Sequence, residues 1–342
     1  MKLAVSLTLA GTGSVIAIGA ICFFTYPRPA ETATQAVAVP ATQMEREKYR
    51  DRFDNLGKAD EPDHTASITK RSDAAPALPK PACANADALG VSRIVQIDTT
   101  GGPGFGFEHF KQLDFLTDKE VVLTFDDGPW PVNTTAVLKS LDAECTKAVF
   151  FPIGKHATYY PEILKQVAAA GHTVGAHTWS HAHLTSKKLT EQQVKDEVEK
   201  GFSAVKFALG DAPAPFFRFP GLQHSPAMIS YLGARDIAIF SCDLDSFDFR
   251  AKDPEQIVET VMSKLDKQGK GIVLMHDFQK YTAAALPGLL RRLKAGGYKV
   301  VHMKAKAPMQ TLVEYDKGMV VDAKLLTVSK RPVGSVVQNV VN

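Results

Sequence analysis

The 342-residue sequence lacks a strong net charge, and it has no cluster of basic residues interleaved with aromatic ones. Its 40 Lys and Arg nearly balance its 37 Asp and Glu, which leaves a formal charge of +3. Proteins that grip the phosphates of nucleic acids usually present a basic face, so we expect no nucleic-acid partner. Hydrophobic residues make up 45% of the chain, enough for one sizeable core, and one large domain is the simplest expectation.

Charge is also missing from residues 3–24, a stretch long enough to span a bilayer. A cleavable signal peptide has a shorter apolar stretch followed by small residues, whereas this one ends in Cys22-Phe23-Phe24. Residues 1–26 are therefore predicted to form a membrane anchor or signal segment, with an uncleaved anchor favoured. We expect the rest of the chain to be exported, either periplasmic or anchored to the inner membrane and facing outward.

Cysteine is scarce, with four in the whole chain. Cys22 lies in the apolar stretch, which leaves Cys83, Cys145 and Cys242 in a compartment expected to be oxidising. The preferred disulfide joins Cys83 to Cys145 and would tie the segment before the folded domain to the end of its first helix. Three free thiols are an equally weighted alternative, because spacing alone does not set connectivity.

Residues 27–87 are rich in Ala, Pro, Thr and charge without an apolar period, which is typical of a flexible linker. Residues 88–305 are predicted to form the folded domain, and a glycine and aromatic loop at 98–107 is expected at its entrance, as a lip of its cleft. Residues 306–342 lose the pattern of the domain and are predicted to form a C-terminal tail.

Within the domain, apolar runs alternate with amphipathic stretches. Helices are expected from Asn133, as cap, to Ala143, from Pro161 to Gly171, from Thr190, which makes a capping box with Gln193, to Gly210, and from Asp253-Pro254 to Gly269. The seven predicted strands lie at 121–125, 147–151, 172–176, 216–218, 237–241, 271–275 and 298–302. This alternation predicts an α/β fold with an all-parallel sheet, either open or closed into a barrel.

The positions of the polar residues favour the barrel. Asp126 and Asp127 follow the first predicted strand, His177 the third, Arg218 the fourth and His276 the sixth. In an open sheet these side chains would spread along an edge, whereas in a barrel they converge on one rim. The sequence therefore predicts a parallel (β/α) barrel of about seven strands with its functional site at that rim.

The same residues have the composition of a metal centre. One Asp with His177 and His181, which are spaced to share one side of a helical turn, would give three ligands and an open position for water. The second Asp of the pair would then be free to act as a base. Either motif alone has a simpler explanation, since Asp126-Asp127-Gly128-Pro129 suits a tight turn and paired histidines can be ordinary core or surface residues. Their joint position on one rim favours the metal.

Two of these motifs carry a family resemblance. Thr124-Phe125-Asp126-Asp127-Gly128-Pro129 and His177-Thr178-Trp179-Ser180-His181 resemble the first two motifs of the polysaccharide deacetylases, carbohydrate esterase family four, and the similarity extends over roughly residues 110–303. The resemblance implies a distorted barrel of fewer than eight repeats. It also implies that Asp127, His177 and His181 bind a divalent metal, usually Zn²⁺, with Asp126 as general base.

Two further segments resemble the family with departures. Residues 217–221 resemble the motif Arg-x-Pro-x-Gly, but Gly directly follows Pro, so the motif reads as one residue short. The resemblance implies that Arg218 orients Asp126 and that Pro220 contacts substrate. Residues 245–249 resemble Asp-x-x-Asp-Trp with Phe249 in place of Trp. This implies that Asp248 orients the catalytic histidine and that Phe249 forms a wall of the cleft, with Asp243 as the alternative carboxylate.

Residues 273–277 resemble the motif Leu-x-His, which implies that Leu274 lines a notch for the acetyl methyl group and that His276 is the general acid. Alone, this segment would be explained by a histidine at a strand end and an ordinary core leucine. Three other histidines lie near the motifs without matching a family position and are predicted not to be ligands: His172, His183 and His224.

The function implied is hydrolysis of N-acetyl groups on an N-acetylhexosamine polysaccharide, such as peptidoglycan, a chitin-like polymer or an exported glycan. Asp126 would take a proton from the attacking water, His276 would protonate the departing amine, and a backbone N–H between Asp127 and Trp130 would assist the oxyanion. The alternatives are an O-acetyl polysaccharide esterase, a metal-containing carbohydrate-binding protein without activity, and a structural protein of the envelope. The sequence does not indicate an oligomeric state.

Overall fold

The predicted alternation of strands and helices is present in the computed structural model, which describes Cys83, residues 85–110 and residues 113–319. The predicted anchor, nearly all of the predicted linker and the end of the predicted tail lie outside the described residues. Among the residues that are described, no helix is long and apolar enough to cross a membrane.

Ten strands and seven α-helices have both of their ends within the described part of the chain, and residues 313–319 are also helical. The strands are β1 (Arg93–Ile97), β2 (Gly104–Phe105), β3 (Glu120–Asp126), β4 (Val149–Phe151), β5 (Thr173–Val174), β6 (Phe216–Phe217), β7 (Ala238–Phe240), β8 (Leu244–Asp245), β9 (Gly271–His276) and β10 (Lys299–Ala305). The helices are α1 (Asn133–Ala143), α2 (Gly154–Tyr159), α3 (Pro161–Ala169), α4 (Glu191–Leu209), α5 (Pro226–Ala234), α6 (Pro254–Gln268) and α7 (Lys280–Ala295).

All seven predicted strands and all four predicted helices are present. The capping box of Thr190 and Gln193 starts α4, and Asp253 caps α6 through Gln256 N. The expected cap of α1 is wrong, because Val132 holds the cap position and Asn133 is the first helical residue. The Asn133 side chain instead donates from Nδ2 to the Phe278 carbonyl, 2.6 Å away.

Every strand pairing among the described residues is parallel, which confirms the α/β class with a parallel sheet. Strand β3 pairs with β9 on one side and with β4 on the other, and its first two residues also pair with β10. The path continues from β4 to β5, through a bridge between Ala176 and Phe217 to β6, and then to β7. Strand β8 pairs with β9. Strand β2 pairs with the other edge of β7. The strands thus follow a nearly closed course, with no pairing between β2 and β8 among the described residues, as in a distorted barrel.

The two faces of β3 lead to two different environments. Val121, Leu123 and Phe125 pack against the helices, whereas Val122 packs with residues of β4, β6, β7 and β9 inside the barrel. Because side chains alternate along a strand, Thr124 and Asp126 share the inner face with Val122. This alternation places Asp126, the last residue of β3, on the face that points into the barrel.

The described domain also contains a disulfide and the first part of the predicted tail, both outside the barrel. Cys83 and Cys145 form a disulfide, which confirms the preferred pairing, and Cys242 is a buried free thiol. The predicted tail begins at residue 306, and its first part packs against the domain. Met309 is buried, Tyr315 Oη donates to Asp196 at 2.6 Å, and residues 313–319 are helical.

Candidate metal centre and active site

Three predicted ligands meet at the carboxyl end of the strands. Asp127, His177 and His181 each offer one ligand atom, and these atoms all lie within 4.8 Å of one another. Asp127 Oδ1 is 3.3 Å from His181 Nε2 and 3.5 Å from His177 Nε2, and it has no hydrogen-bond donor among the described residues. A buried carboxylate oxygen without a donor is costly, and a cation between these three groups would satisfy it. One carboxylate with two imidazoles is a donor set that suits zinc.

The two imidazoles are held in the form that can bind a metal. His177 Nδ1 lies 2.7 Å from the carbonyl oxygen of Arg218, so this nitrogen carries the proton and Nε2 keeps its lone pair for a metal. Burial lowers the pKa of His177 to about 3. Burial and the neighbouring His177 also lower the pKa of His181 to about 4. Both rings are therefore neutral at neutral pH.

The ligands are brought together by loop geometry, and the expected helical turn from His177 to His181 is wrong. These residues form an irregular loop after β5, in which Thr178 and His181 have left-handed φ values of 65° and 62°. Asp127, in the loop after β3, has a φ of 75°. Left-handed backbone at residues other than glycine is uncommon and concentrates at functional sites.

Asp126 lies beside the centre and is held by Arg218. The Arg218 side chain is fully buried inside the barrel, and its Nη1 donates to Asp126 Oδ1 at 2.8 Å and to Thr124 Oγ1 at 2.7 Å. Its Nη2 donates to the carbonyl of Ser241 at 2.9 Å. Burial raises the pKa of Asp126, while the positive charge of Arg218 acts to lower it. Asp126 Oδ2 remains turned towards His177 Nε2, 3.9 Å away.

His276 and Asp248 form a second pair at the same rim. Asp248 Oδ1 lies 2.6 Å from His276 Nδ1, and Asp248 Oδ2 accepts from the His276 backbone N–H at 2.7 Å and from Thr282 Oγ1 at 2.5 Å. Burial alone would lower the pKa of His276, but the hydrogen bond and charge of Asp248, with the nearby aspartates, raise it to about 9. The alternative carboxylate, Asp243, accepts instead from the backbone N–H groups of Phe107 and Ile272.

A further acid, Asp277, supports the loop that follows Asp127, although its sequence position had given it no predicted role. Its side chain is buried, and it accepts from Gly128 N at 3.0 Å and from Thr134 Oγ1 at 2.5 Å. A Cβ on Gly128 would collide with the Asp277 carboxylate. The only signal in the sequence is that Asp277 follows His276 directly, and this does not reveal its partners.

The expected oxyanion donor between Asp127 and Trp130 is not available. The N–H of Asp127 donates to the Phe151 carbonyl, that of Gly128 donates to Asp277, and that of Trp130 donates to Thr134 Oγ1. The remaining residue, Pro129, has no N–H. Each donor of this segment therefore already has an acceptor within the protein, and the expectation is wrong.

The predicted substrate contacts differ in exposure. Phe249 is 48% exposed at the rim, with its ring centroid 6.0 Å from that of His276. Leu274 and Pro220 are buried. After Pro220, Gly221 and Leu222 both have left-handed φ values, 60° and 59°, a conformation that favours glycine.

Comparisons with known proteins agree with this site. A family model described as polysaccharide deacetylase matches residues 116–237, a range that includes the three ligands, Asp126 and Arg218. A peptidoglycan-N-acetylglucosamine deacetylase of Listeria monocytogenes is 33% identical over 185 residues, 54% of this chain and 38% of that protein. A chitooligosaccharide deacetylase of Sinorhizobium fredii is 29% identical over 209 residues, 55% of this chain and 95% of that protein.

Among solved structures, a peptidoglycan deacetylase of Bdellovibrio bacteriovorus is 36% identical with a TM-score of 0.57, covering 63% of this chain and 59% of that one. The chain spans less than two fifths of the length of the Listeria relative. The range matched by the family model contains Asp127, His177 and His181. Residues 116–237 of the chain therefore belong to the polysaccharide deacetylase family.

Proposed function

We propose that the protein is a metal-dependent hydrolase that removes N-acetyl groups from an N-acetylhexosamine polysaccharide. The observation that carries this proposal is the convergence of ligand atoms from Asp127, His177 and His181 within 4.8 Å. Two proton-transfer groups adjoin them, since Asp126 on β3 lies opposite His276 on β9 in the strand register. A base and an acid beside a metal centre suit amide hydrolysis.

Asp127, His177 and His181 are the residues that would hold the cation. A divalent metal bound there, Zn²⁺ by family resemblance, supplies Lewis acidity and lowers the pKa of water. Arg218 occupies Oδ1 of Asp126, which leaves Oδ2 to accept the proton of the attacking water. Asp248 occupies Nδ1 of His276, which leaves Nε2 to donate a proton to the amine as it departs.

The family relatives support an N-acetylated glycan as the substrate class. The Listeria and Sinorhizobium relatives are named peptidoglycan-N-acetylglucosamine and chitooligosaccharide deacetylases, and both names refer to glycans that contain N-acetylated amino sugars. We extend the substrate class to this chain and favour N-deacetylation over cleavage of O-acetyl esters. The disulfide of Cys83 and Cys145 supports an exported location, since such bonds persist in oxidising compartments. We propose that the enzyme acts in the cell envelope, periplasmic or tethered to the membrane.

Acetate release from defined glycans tests this function. The panel contains N-acetylated chito-oligosaccharides, N-acetylated peptidoglycan and an O-acetylated xylan, each with and without EDTA and with zinc added back. We expect acetate from the N-acetylated glycans, loss with EDTA and recovery with zinc. Release from the xylan alone would establish the O-acetyl esterase, and release from none would indicate a binding or structural protein.

Metal content tests the ligand assignment separately from activity. His177→Ala is expected to lose most of the bound metal, because it removes one of three protein ligands. His183→Ala is the matched control, since its ring centroid lies 6.2 Å from that of His181 and it is predicted not to be a ligand. Elemental analysis of both purified variants gives the answer, and equal metal in His177→Ala and wild type would refute the assignment.

A further inference from the structure

Four aromatic side chains form a partly exposed cluster beside the metal centre, named here the aromatic cluster: Trp130, His156, Tyr159 and Tyr160. The Trp130 ring lies 5.1 Å from that of His156 and 5.6 Å from that of Tyr160, and Tyr159 lies 6.4 Å from Tyr160. Trp130 is 37% exposed and Tyr159 is 50% exposed. Exposed aromatic side chains that group together usually mark a binding surface.

The aromatic cluster is continuous with the loop that carries Asp127. Trp130 is three residues beyond Asp127, and His156 Nδ1 lies 2.6 Å from the Asp127 carbonyl oxygen, to which it donates. The loop that carries Trp130 follows β3, and helix α2, which carries His156, follows β4. Strands β3 and β4 are paired neighbours. The cluster therefore begins where the proposed active site ends, on the side of the rim formed by these two strands.

Trp130 is presented on a loop that is fixed rather than free. The backbone N–H of Trp130 donates to Thr134 Oγ1 at 2.7 Å, and the backbone carbonyl of Trp130 accepts from Thr134 N at 3.1 Å. Val132, two residues on, has a φ of 70° and is 78% exposed. A β-branched residue with a positive φ is a conformational outlier, and the exposed side chain of Val132 enlarges the apolar surface beside Trp130. A rigid aromatic side chain loses little entropy when it binds a ligand.

We propose that the aromatic cluster is a sugar-binding subsite, in which Trp130 and Tyr159 pack against the pyranose ring of the sugar next to the one that is deacetylated. This inference rests on the proposed function. One face of a pyranose ring carries C–H groups that form an apolar surface, which packs on an aromatic ring, while its hydroxyl groups stay in water. A glycan chain that enters the metal centre extends beyond it by further sugars, and the cluster lies in direct continuity with that centre.

Binding without turnover tests the subsite. Calorimetric titration with chitohexaose in the presence of EDTA measures affinity for wild type, Trp130→Ala, Trp130→Phe and Tyr159→Ala. We expect about tenfold weaker binding for Trp130→Ala and partial retention for Trp130→Phe, as the loss of one aromatic contact implies. Phe207→Ala is the matched control, because Phe207 is a 39% exposed aromatic residue on α4, and it should bind as wild type does.

Kinetics give the second arm of the test. In the metal-loaded enzyme, Trp130→Ala should raise KM for chitohexaose about tenfold, with a smaller effect on kcat, and should reduce the advantage of long over short oligosaccharides. Binding by Trp130→Ala and Tyr159→Ala equal to wild type, or no binding by wild type, overturns the subsite. A change of oligomeric state in Trp130→Ala would also overturn it, because the cluster would then be a protein interface. Absence of acetate release alone counts against the proposed function and leaves the binding arm to decide the subsite.

Discussion

Arg218 hydrogen-bonds Asp126, the proposed base, through its side chain and His177, a proposed metal ligand, through its backbone carbonyl. Its guanidinium donates to Asp126 Oδ1 at 2.8 Å, and its backbone carbonyl accepts from His177 Nδ1 at 2.7 Å. The side chain therefore aims the proposed base, while the main chain fixes the tautomer of a proposed metal ligand. Any shift of this residue inside the barrel would disturb both groups together.

The base assignment predicts a variant that keeps its metal and loses its activity. Asp126→Asn preserves the shape of the side chain and one acceptor for Arg218, but its amide cannot take a proton from water. We expect kcat for acetate release to fall by about 10²–10⁴, with metal content unchanged. Elemental analysis beside the kinetic assay checks both parts, and an Asn variant with near wild-type kcat would remove Asp126 from the role of base.

The buried ion pair predicts non-additive stability effects. Arg218→Met leaves Asp126 buried without its cationic partner, and we expect a loss of about 3–5 kcal/mol in the free energy of unfolding. Adding Asp126→Asn to Arg218→Met should recover part of that loss, because the unpaired carboxylate is gone. Urea unfolding of the two single variants and the double variant measures the coupling, and additive losses would show that the pair does not act as a unit.

The pair of Asp248 and His276 predicts the alkaline limb of the pH profile. The pKa of His276 is raised to about 9, so the imidazolium needed as acid persists at neutral pH and is lost as the pH rises through about 9. In Asp248→Asn the raising charge is removed while burial still lowers the pKa of His276, so the limb should move to lower pH. Profiles of kcat against pH for wild type and Asp248→Asn measure this shift. An unchanged alkaline limb would show that the ionisation of His276 does not control kcat.

How far the sequence predicted the site depended on whether the relevant contacts were local. Asp126, Asp127, His177 and His181 each lie in a short motif at a strand end, and strand ends of a parallel sheet meet at one rim. The predicted residues therefore came together. Asp277 was missed because its role depends on contacts with Gly128 and Thr134, which lie 149 and 143 residues away in sequence.

The undetected elements of the fold have similar physical causes. Helix α7 carries Pro287 in its interior, and proline normally interrupts a helix, so its sequence does not indicate sixteen helical residues. Strands β2 and β8 are two residues long, too short for an alternating pattern. The start of α1 was misassigned because Asn133 is a good capping residue, yet Asn133 bonds to Phe278 across the rim. Tertiary contacts overrode the local preference in this case.

The disulfide predicts a redox-dependent stability. Cys83 and Cys145 are separated by 62 residues, and closing a loop of this size restricts the unfolded chain. We expect Cys83→Ala with Cys145→Ala to lower the free energy of unfolding by about 2–4 kcal/mol. Urea unfolding of wild type with a thiol reductant should show the same loss, and the reductant should leave the double variant unaffected. A reductant effect of equal size in the double variant would assign the loss to another group.

The ion pair of Arg93 and Glu120 predicts how stability responds to acid. Arg93 donates from Nε and Nη2 to the two Glu120 oxygens, both at 2.7 Å, and these bonds lower the pKa of Glu120 from 4.5 to about 2. Since the folded pKa is depressed, the stabilisation is complete above about pH 4.5 and is lost as the pH falls towards 2. Arg93 is partly exposed, so we expect about 1–2 kcal/mol after solvent screening. Glu120→Gln should lose this amount at pH 7 and show a flatter decline of unfolding free energy between pH 5 and 3. The control Glu162→Gln, at an exposed position, should match wild type. Parallel curves of unfolding free energy against pH for all three proteins would contradict the linkage.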